Sequence, residues 1–369
     1  MKRALITSLL VACAACTSFE DPTRVIDLRM LAVQVEPSEI ILDADISDPA
    51  NPTAANNPPV KVTPLIADPA GGGRTVTYTI DACPNDPFAP AAPGGGQGGG
   101  AFPSGGARTT VGSALCEEGG EKTWRLTPYP ITVDLNADPG TSFEVPPLDI
   151  KWLAIAFMTD IFPDQYGNLH GGFDLGMPLT LDIKVDAGTQ QIRAVKRILY
   201  WALPIDDAQV PNQLPKIDSV RMYPDRDPDT FDPLGTITTL DPGAAAEVPA
   251  GTKSVWIEPA RGIAEQFVTT VIDPDTHLAV PFTVPRETLR YRFFATGGSF
   301  SPAITQSEPL PGFVATGPVH IESEYRLPSA AQLPPGPDGT AIDTIWIVVR
   351  DDRGGESWAR RTLVVTPLP

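Results

Sequence analysis

Four cysteines and a scatter of carboxylates are the groups in this chain whose type and spacing could do chemistry. Cys13 and Cys16 follow a basic start, Lys2-Arg3, and an apolar run from Ala4 to Ala12. A thiol in that setting is a substrate for acylation at a signal cleavage site rather than a catalyst. The run is far shorter than the roughly 20 apolar residues a membrane-spanning helix needs, so cleavage is the expectation. Leu10-Val11-Ala12-Cys13 fits the usual pattern ahead of an acylated cysteine. Cys13-Ala14-Ala15-Cys16 fits it less well, because Cys13 stands where Leu or Val is usual. Cutting before Cys13, however, leaves a very short apolar run, whereas acylation of Cys16 leaves a single pair, Cys83 and Cys116. Cys16 is the expected lipid-attachment residue and Cys13 the alternative.

Cys83 and Cys116 bracket a Gly/Pro-rich segment, 84–115, that has nothing with which to build a core. In an exported chain two such cysteines read as a disulfide closing an exposed excursion. In the chain-entropy picture a closure of that length stabilises by roughly 3–4 kcal/mol. A thiol or metal site would need two further ligands that the neighbourhood does not supply.

Among the carboxylates, Asp225, Asp227, Asp229 and Asp232 alternate in a way that could wrap a Ca²⁺, which takes six to eight oxygens. The run lacks the central Gly and terminal Glu of a helix-loop-helix calcium loop, and Pro228 stiffens it. A solvated acidic loop is the expected reading, as it is for Asp273-Pro274-Asp275 and Asp351-Asp352. The three histidines, His170, His277 and His320, are far apart, the first two in expected turns. There is no HExxH, GxSxG, phosphate loop or Cys/His cluster, so neither a cofactor nor a catalytic set is expected. Gly297-Gly298-Ser299-Phe300-Ser301 reads as a turn, with no Lys and no helix to follow.

The elements that must carry these groups are short β-type runs punctuated by 42 Pro and 32 Gly, with no sustained helical apolar period. A formal net charge of −18 argues against nucleic acid and against adhesion of the body to anionic lipid. The runs repeat with a long period. Ile26-Asp27-Leu28-Arg29-Met30 is echoed by Ile217-Asp218-Ser219-Val220-Arg221-Met222, and Val76–Ile80 by Leu289–Phe293. Lys151–Phe157, with Trp152, is echoed by Thr344–Val349, with Trp346; each then meets an acidic turn and a last run, Leu179–Val185 or Arg361–Val365. Alternation puts Ile345, Ile347 and Val349 on one face and Trp346 and Val348 on the other, so that strand is expected to be central. The pattern predicts an all-β chain of two tandem β-sandwich domains. Its parts are a signal over 1–15, a polar tether over 16–25, domain 1 over 26–205, a linker over 206–215 and domain 2 over 216–369.

The strand-turn-strand unit from Thr344 to Val365 resembles the final hairpin of immunoglobulin-like folds. The segments Cys16–Pro22, Val25–Val33, Phe294–Phe300 and Trp346–Gly355 are similar to those of uncharacterised myxobacterial-type envelope lipoproteins. That resemblance implies a lipoprotein with immunoglobulin-like domains, no assigned activity and no functional residues to carry over. Thr17 after Cys16, where retained inner-membrane lipoproteins have Asp, implies the outer membrane, with the body facing the periplasm or the cell surface. The expected role is a non-enzymatic binding or structural module, membrane-held through its lipid, with an envelope protein or polysaccharide as partner. The alternative is an envelope hydrolase or carbohydrate-active protein with an unrecognised acidic site.

Overall fold

The computed structural model describes residues 21–45, 47–48, 50–84, 116, 123–137, 140–159, 161–163, 169–171, 176–308 and 319–369. Cys13, Cys16 and nearly all of the 84–115 loop lie outside them. Among the described residues the fold is all-β apart from one helix. Its N-terminal half contains β1 (Arg29–Glu36), β2 (Glu39–Ile41), β3 (Val60–Ala67), β4 (Thr77–Pro84), β5 (Phe143–Val145), α1 (Ile150–Thr159), β6 (Met177–Asp186) and β7 (Gln191–Trp201). The C-terminal half contains β8 (Val220–Tyr223), β9 (Ala245–Glu247), β10 (Ser254–Pro259), β11 (Phe267–Ile272), β12 (Ala279–Val284), β13 (Arg290–Ala295), β14 (Ser323–Arg326), β15 (Ala341–Arg350) and β16 (Glu356–Val365). Shorter strands complete the sheets.

Each half is two sheets facing across an apolar core, with one strand order used twice. In the first half β1-β3-β5 faces β2-β7-β6-β4. In the second, β8-β10-β14 faces β9-β16-β15-β13, each sheet extended by further short strands. In both larger sheets the last long strand pairs antiparallel with its predecessor and parallel with a short early strand, β7 with β2 and β16 with β9. Alternation explains the two cores. Tyr78, Ile80 and Ala82 of β4 point inward with Leu179, Leu181, Ile183 and Val185 of β6. Tyr291 and Phe293 of β13 do the same with Ile345, Ile347 and Val349 of β15.

The structure corrects the alignment of the repeat. Lys151–Phe157 is not a strand but lies within α1. Asp149 caps that helix: its Oδ1 accepts the Lys151 amide at 2.8 Å and its carbonyl accepts the Leu153 amide at 3.0 Å. Leu153 and Phe157, one helical turn apart, are both buried in the first core. The Leu, Ala and Met content favours a helix and only the local β-rich context suggested a strand. The counterpart of the Trp346 strand is therefore β6, and the counterpart of the final strand is β7.

The central placement of Trp346 holds. Ile345, Ile347 and Val349 enter the second core, while Trp346 and Val348 join Phe294 against Leu31, Ala32, Leu65 and Ala67 of the first half. That third cluster welds the two halves. Residues 21–25, expected to be part of a polar tether, are docked on the fold, and Val25 belongs to that cluster. Val25 is fully buried, its amide donates to the Ala295 carbonyl at 2.8 Å, and the Ala295 amide returns to the Thr23 carbonyl at 2.9 Å. The short strand Ile304–Gln306 covers β13 only as far as Arg292, and the open edge beyond takes up the chain start. Segment 206–215 carries no strand, yet Gln209 and Asn212 within it are buried.

Candidate functional site at the joint between the halves

The turn from β15 to β16, Asp351 to Gly355, directs Arg353 into the seam. Asp351 closes it, its Oδ1 accepting the Arg353 amide at 2.9 Å and the Gly355 amide at 2.7 Å. From there the Arg353 guanidinium, whose side chain is 7% exposed, donates to Glu39 Oε2 of β2 at 3.0 Å and to Glu265 Oε2 at 2.5 Å. It also lies over the Phe267 ring at 4.8 Å and 3.9 Å from Glu287 Oε2. Glu39 is held further by the Trp201 indole N–H at 2.7 Å and the Asn212 amide at 3.0 Å. Asn212 Nδ2 bridges Ser38 and Asp351. A second crossing lies beside it: Lys196 Nζ of β7 meets Glu356 Oε2 at 3.0 Å, and the Val33 amide donates to the same oxygen at 3.1 Å. Arg350 holds the other oxygen at 2.5 Å.

These carboxylates divide by their surroundings. Burial would raise the Glu356 carboxyl, but Lys196 and Arg350 together hold it below its ordinary value. Burial wins at Glu39, which is raised despite Arg353. It pushes Asp351 up to about 6 and Glu287 up to about 7. Glu287 Oε1 accepts the Glu265 amide at 3.0 Å, while buried Oε2 has no hydrogen-bond partner. A raised carboxyl keeps its proton longer in the folded state, so its stabilising effect is complete below about pH 4.5 and fades as pH rises toward 7. Replacing Glu287 with Gln is expected to flatten that decline and to stabilise the protein at pH 8 by up to about 3 kcal/mol. Urea midpoints at pH 5 and pH 8 check it; an unchanged pH slope would show that Glu287 carries no such burden.

The residues singled out by sequence are distributed as follows. Cys83 and Cys116 form the expected disulfide, with Cα atoms 5.6 Å apart. Asp225, Asp227, Asp229 and Asp232 do not converge, and among the described residues no three His, Cys, Asp or Glu side chains gather to hold a metal ion. Asp227 acts instead as a turn former, its Oδ1 accepting the Asp229 and Thr230 amides at 2.8 and 2.9 Å. Asp273 does the same for Asp275 and Thr276 at 2.9 and 2.7 Å. Both are Asp-Pro-Asp-Thr turns that end on a left-handed residue, Phe231 at φ 64° and His277 at φ 58°. Arg226 beside the first turn lies over Trp256, 3.7 Å from the ring centre, and over Phe231 at 4.5 Å. His277 is in its expected turn, whereas the backbone at His170 lies in a strand paired with Phe162. The parity of that short segment was obscured by flanking glycines.

Two buried carboxylates went unnoticed in the sequence, and parity marks the first of them. Asp343 falls on the inward face of β15, in step with Ile345 and Ile347, and is fully buried. Its oxygens accept the amides of Thr296, Gly297 and Gly298 at 3.0, 2.9 and 2.6 Å, the Thr296 hydroxyl at 2.6 Å and the Tyr325 hydroxyl at 2.5 Å. The turn it grips needs glycine at 298, where a Cβ would stand 2.3 Å from Tyr325 Cε2. Asp182 of β6, also fully buried, faces Asp81 of β4 directly. Arg193 pairs with Asp182; Arg125 and Lys184 pair with Asp81 at 2.5 and 3.0 Å, an ion ladder on the outer face of the larger sheet. Comparison with protein-family models and with characterised proteins finds no match for this chain.

Proposed function

We propose that this protein is a lipid-anchored component of the cell envelope, with two tandem immunoglobulin-like domains acting as a non-enzymatic binding or structural module. The observation that carries the reading is the joint. Arg353 and Glu356 tie both halves through buried ion pairs, and the Trp346 face adds an apolar weld, so the two sandwiches act as one stiff body. The order of β2-β7-β6-β4, with β2 parallel to the last strand, supports the immunoglobulin-like assignment, as does its recurrence in β9-β16-β15-β13. Two hollows among the described residues, one beside Trp346 and Trp358 and one beside Leu153 and Phe157, hold about 10 Å³ each, room for a single water, which suits a body that works through its surface. Lys2-Arg3, the apolar run and the cysteine pair support an exported, acylated N-terminus, with the outer membrane as its destination.

Metabolic labelling with a palmitate analogue is expected to mark the wild-type chain and its Cys13→Ser variant but not Cys16→Ser. Label retained in Cys16→Ser and lost in Cys13→Ser would move the anchor to Cys13; label in none of the three would end the lipoprotein reading. Crosslinking on intact cells tests the module, with an envelope protein or polysaccharide the expected capture. Recovery of the protein alone would count against a binding role.

A further inference from the structure

We infer that four arginines along the seam, Arg29, Arg290, Arg292 and Arg350, form a contact surface for an anionic phospholipid bilayer, the membrane to which the N-terminal lipid holds the protein. The inference rests on the anchored reading above and adds a direction to it. The four side chains converge from three strands. Arg290 and Arg292 are two apart on β13 and share one face. Arg350 of β15 stands directly opposite Arg290. Arg29 reaches over from β1 of the other half and lies on the Phe294 ring, 5.4 Å from its centre. Arg292 is exposed overall; partial desolvation of its guanidinium lowers its pKa, Arg350, Arg29 and Arg290 lower it further, and Glu356 opposes them.

Opposing charge is present but insufficient. Arg350 pairs with Glu356, which also serves Lys196, and Arg290 lies 3.4 Å from Asp352. Asp21 at the chain start turns its Oδ1 to Thr23. Among the described residues Arg29 donates to the carbonyls of Pro22 and Arg24, and Arg292 has no hydrogen-bond or ion-pair partner, only the longer-range attraction of Glu356 that Arg350 and Lys196 already share. Like charges gathered without full compensation cost stability unless something else answers them. A net charge of −18 argues against such a surface when averaged over the whole molecule. Screening removes that average, because at physiological salt a charge is felt over only about 8 Å.

The chain start supplies the partner. The Pro22 carbonyl is bonded by Arg29 at 2.9 Å, so the backbone departs from the patch itself. Cys16 lies five residues before Asp21. Fully extended, that length spans at most about 18 Å. A lipid on Cys16 therefore brings the four arginines within reach of the headgroups of the bilayer it enters, and phosphate is the anion that guanidinium groups bind in two-pronged fashion.

The test uses the exported, unacylated Cys16→Ser chain in co-sedimentation with phosphatidylcholine vesicles, with or without phosphatidylglycerol. Binding is expected only where phosphatidylglycerol is present and is expected to fall steeply with salt. A basic residue near an anionic surface contributes about 1 kcal/mol, about fivefold in partitioning. The Arg29→Gln/Arg292→Gln double variant is therefore expected to bind about 25-fold more weakly, and Arg326→Gln, in the other sheet of the same half, to bind unchanged. Equal binding to both vesicle types, a double variant that binds like its parent, or equal weakening by Arg326→Gln would each overturn the inference. Should the double variant unfold, anionic-vesicle binding of the parent that persists at high salt would do so too. Acylation is scored separately by palmitate labelling. A chain that is labelled but indifferent to vesicle charge sinks the surface alone; one that is charge-sensitive but unlabelled sinks the anchor alone.

Discussion

Arg353→Met is expected to lower the free energy of unfolding by about 3–5 kcal/mol near neutral pH, the usual effect of removing one member of a buried ion pair. The cause is less the lost attraction than what stays behind. Glu39, 3% exposed and already raised by burial, would be left beside Trp201 and Asn212 with no cation in reach of its Oε2. Glu265 and Glu287 would face each other without the guanidinium between them. Urea unfolding followed by tryptophan fluorescence reads the loss. The double variant Arg353→Met/Glu39→Gln is expected to recover part of it, because the second substitution removes the stranded charge. A loss below about 1 kcal/mol in the single variant would place this pair with ordinary surface salt bridges. The joint would then owe its rigidity to the Trp346 cluster and the Lys196–Glu356 crossing.

For Asp343→Ala the expected loss is about 4 kcal/mol or more. The Gly297 and Gly298 amides and the Thr296 and Tyr325 hydroxyls lose their acceptor together, while the Thr296 amide keeps the Thr344 carbonyl at 3.0 Å; each buried donor left unpaired costs about 1–3 kcal/mol. Asp343→Asn is expected to fall between the two. Its amide oxygen can still accept, but its NH₂ group is turned toward donors that need an acceptor. Thermal melting ranks the three proteins, and hydrogen exchange at Gly297 and Gly298 localises the effect. Fast exchange confined to those amides in the Ala variant is the signature of a lost carboxylate grip; unchanged protection there would refute it.

The sequence made the all-β class legible because strand alternation is written locally, residue by residue. The two-faced apolar run at Thr344–Val349 is the clearest case, since only a strand covered on both sides needs apolar residues at every position. The Cys83–Cys116 pair was equally readable, because little else in the chain could answer either thiol. The repeat was visible but misaligned. A tryptophan in an apolar run looks alike in α1 and in β15, and only the Asp149 cap and the Leu, Ala and Met content separate them. The joint was illegible for a different reason. Glu39, Lys196, Glu265, Glu287, Arg353 and Glu356 are spread over most of the chain, and single polar residues carry no mark of the partner that will meet them. Asp343 and Lys196 do stand in step with apolar neighbours, a signal of buried charge that parity alone could have raised.

The parallel pairing of β2 with β7 and of β9 with β16 constrains the order of events during synthesis. Neither larger sheet can close until its last strand has emerged, so the first half remains unstitched until about Trp201 is made and the second until about Val365. Between those two moments the outer apolar face of the first half, Leu31, Ala32, Leu65 and Ala67, has nothing to cover it. A nascent chain paused there presents that face to whatever holds it. Truncation within β16 before Thr362 forfeits more than one strand: it leaves β9 unpaired and strips its partner from β15, the strand that carries Trp346 and Val348 into the seam.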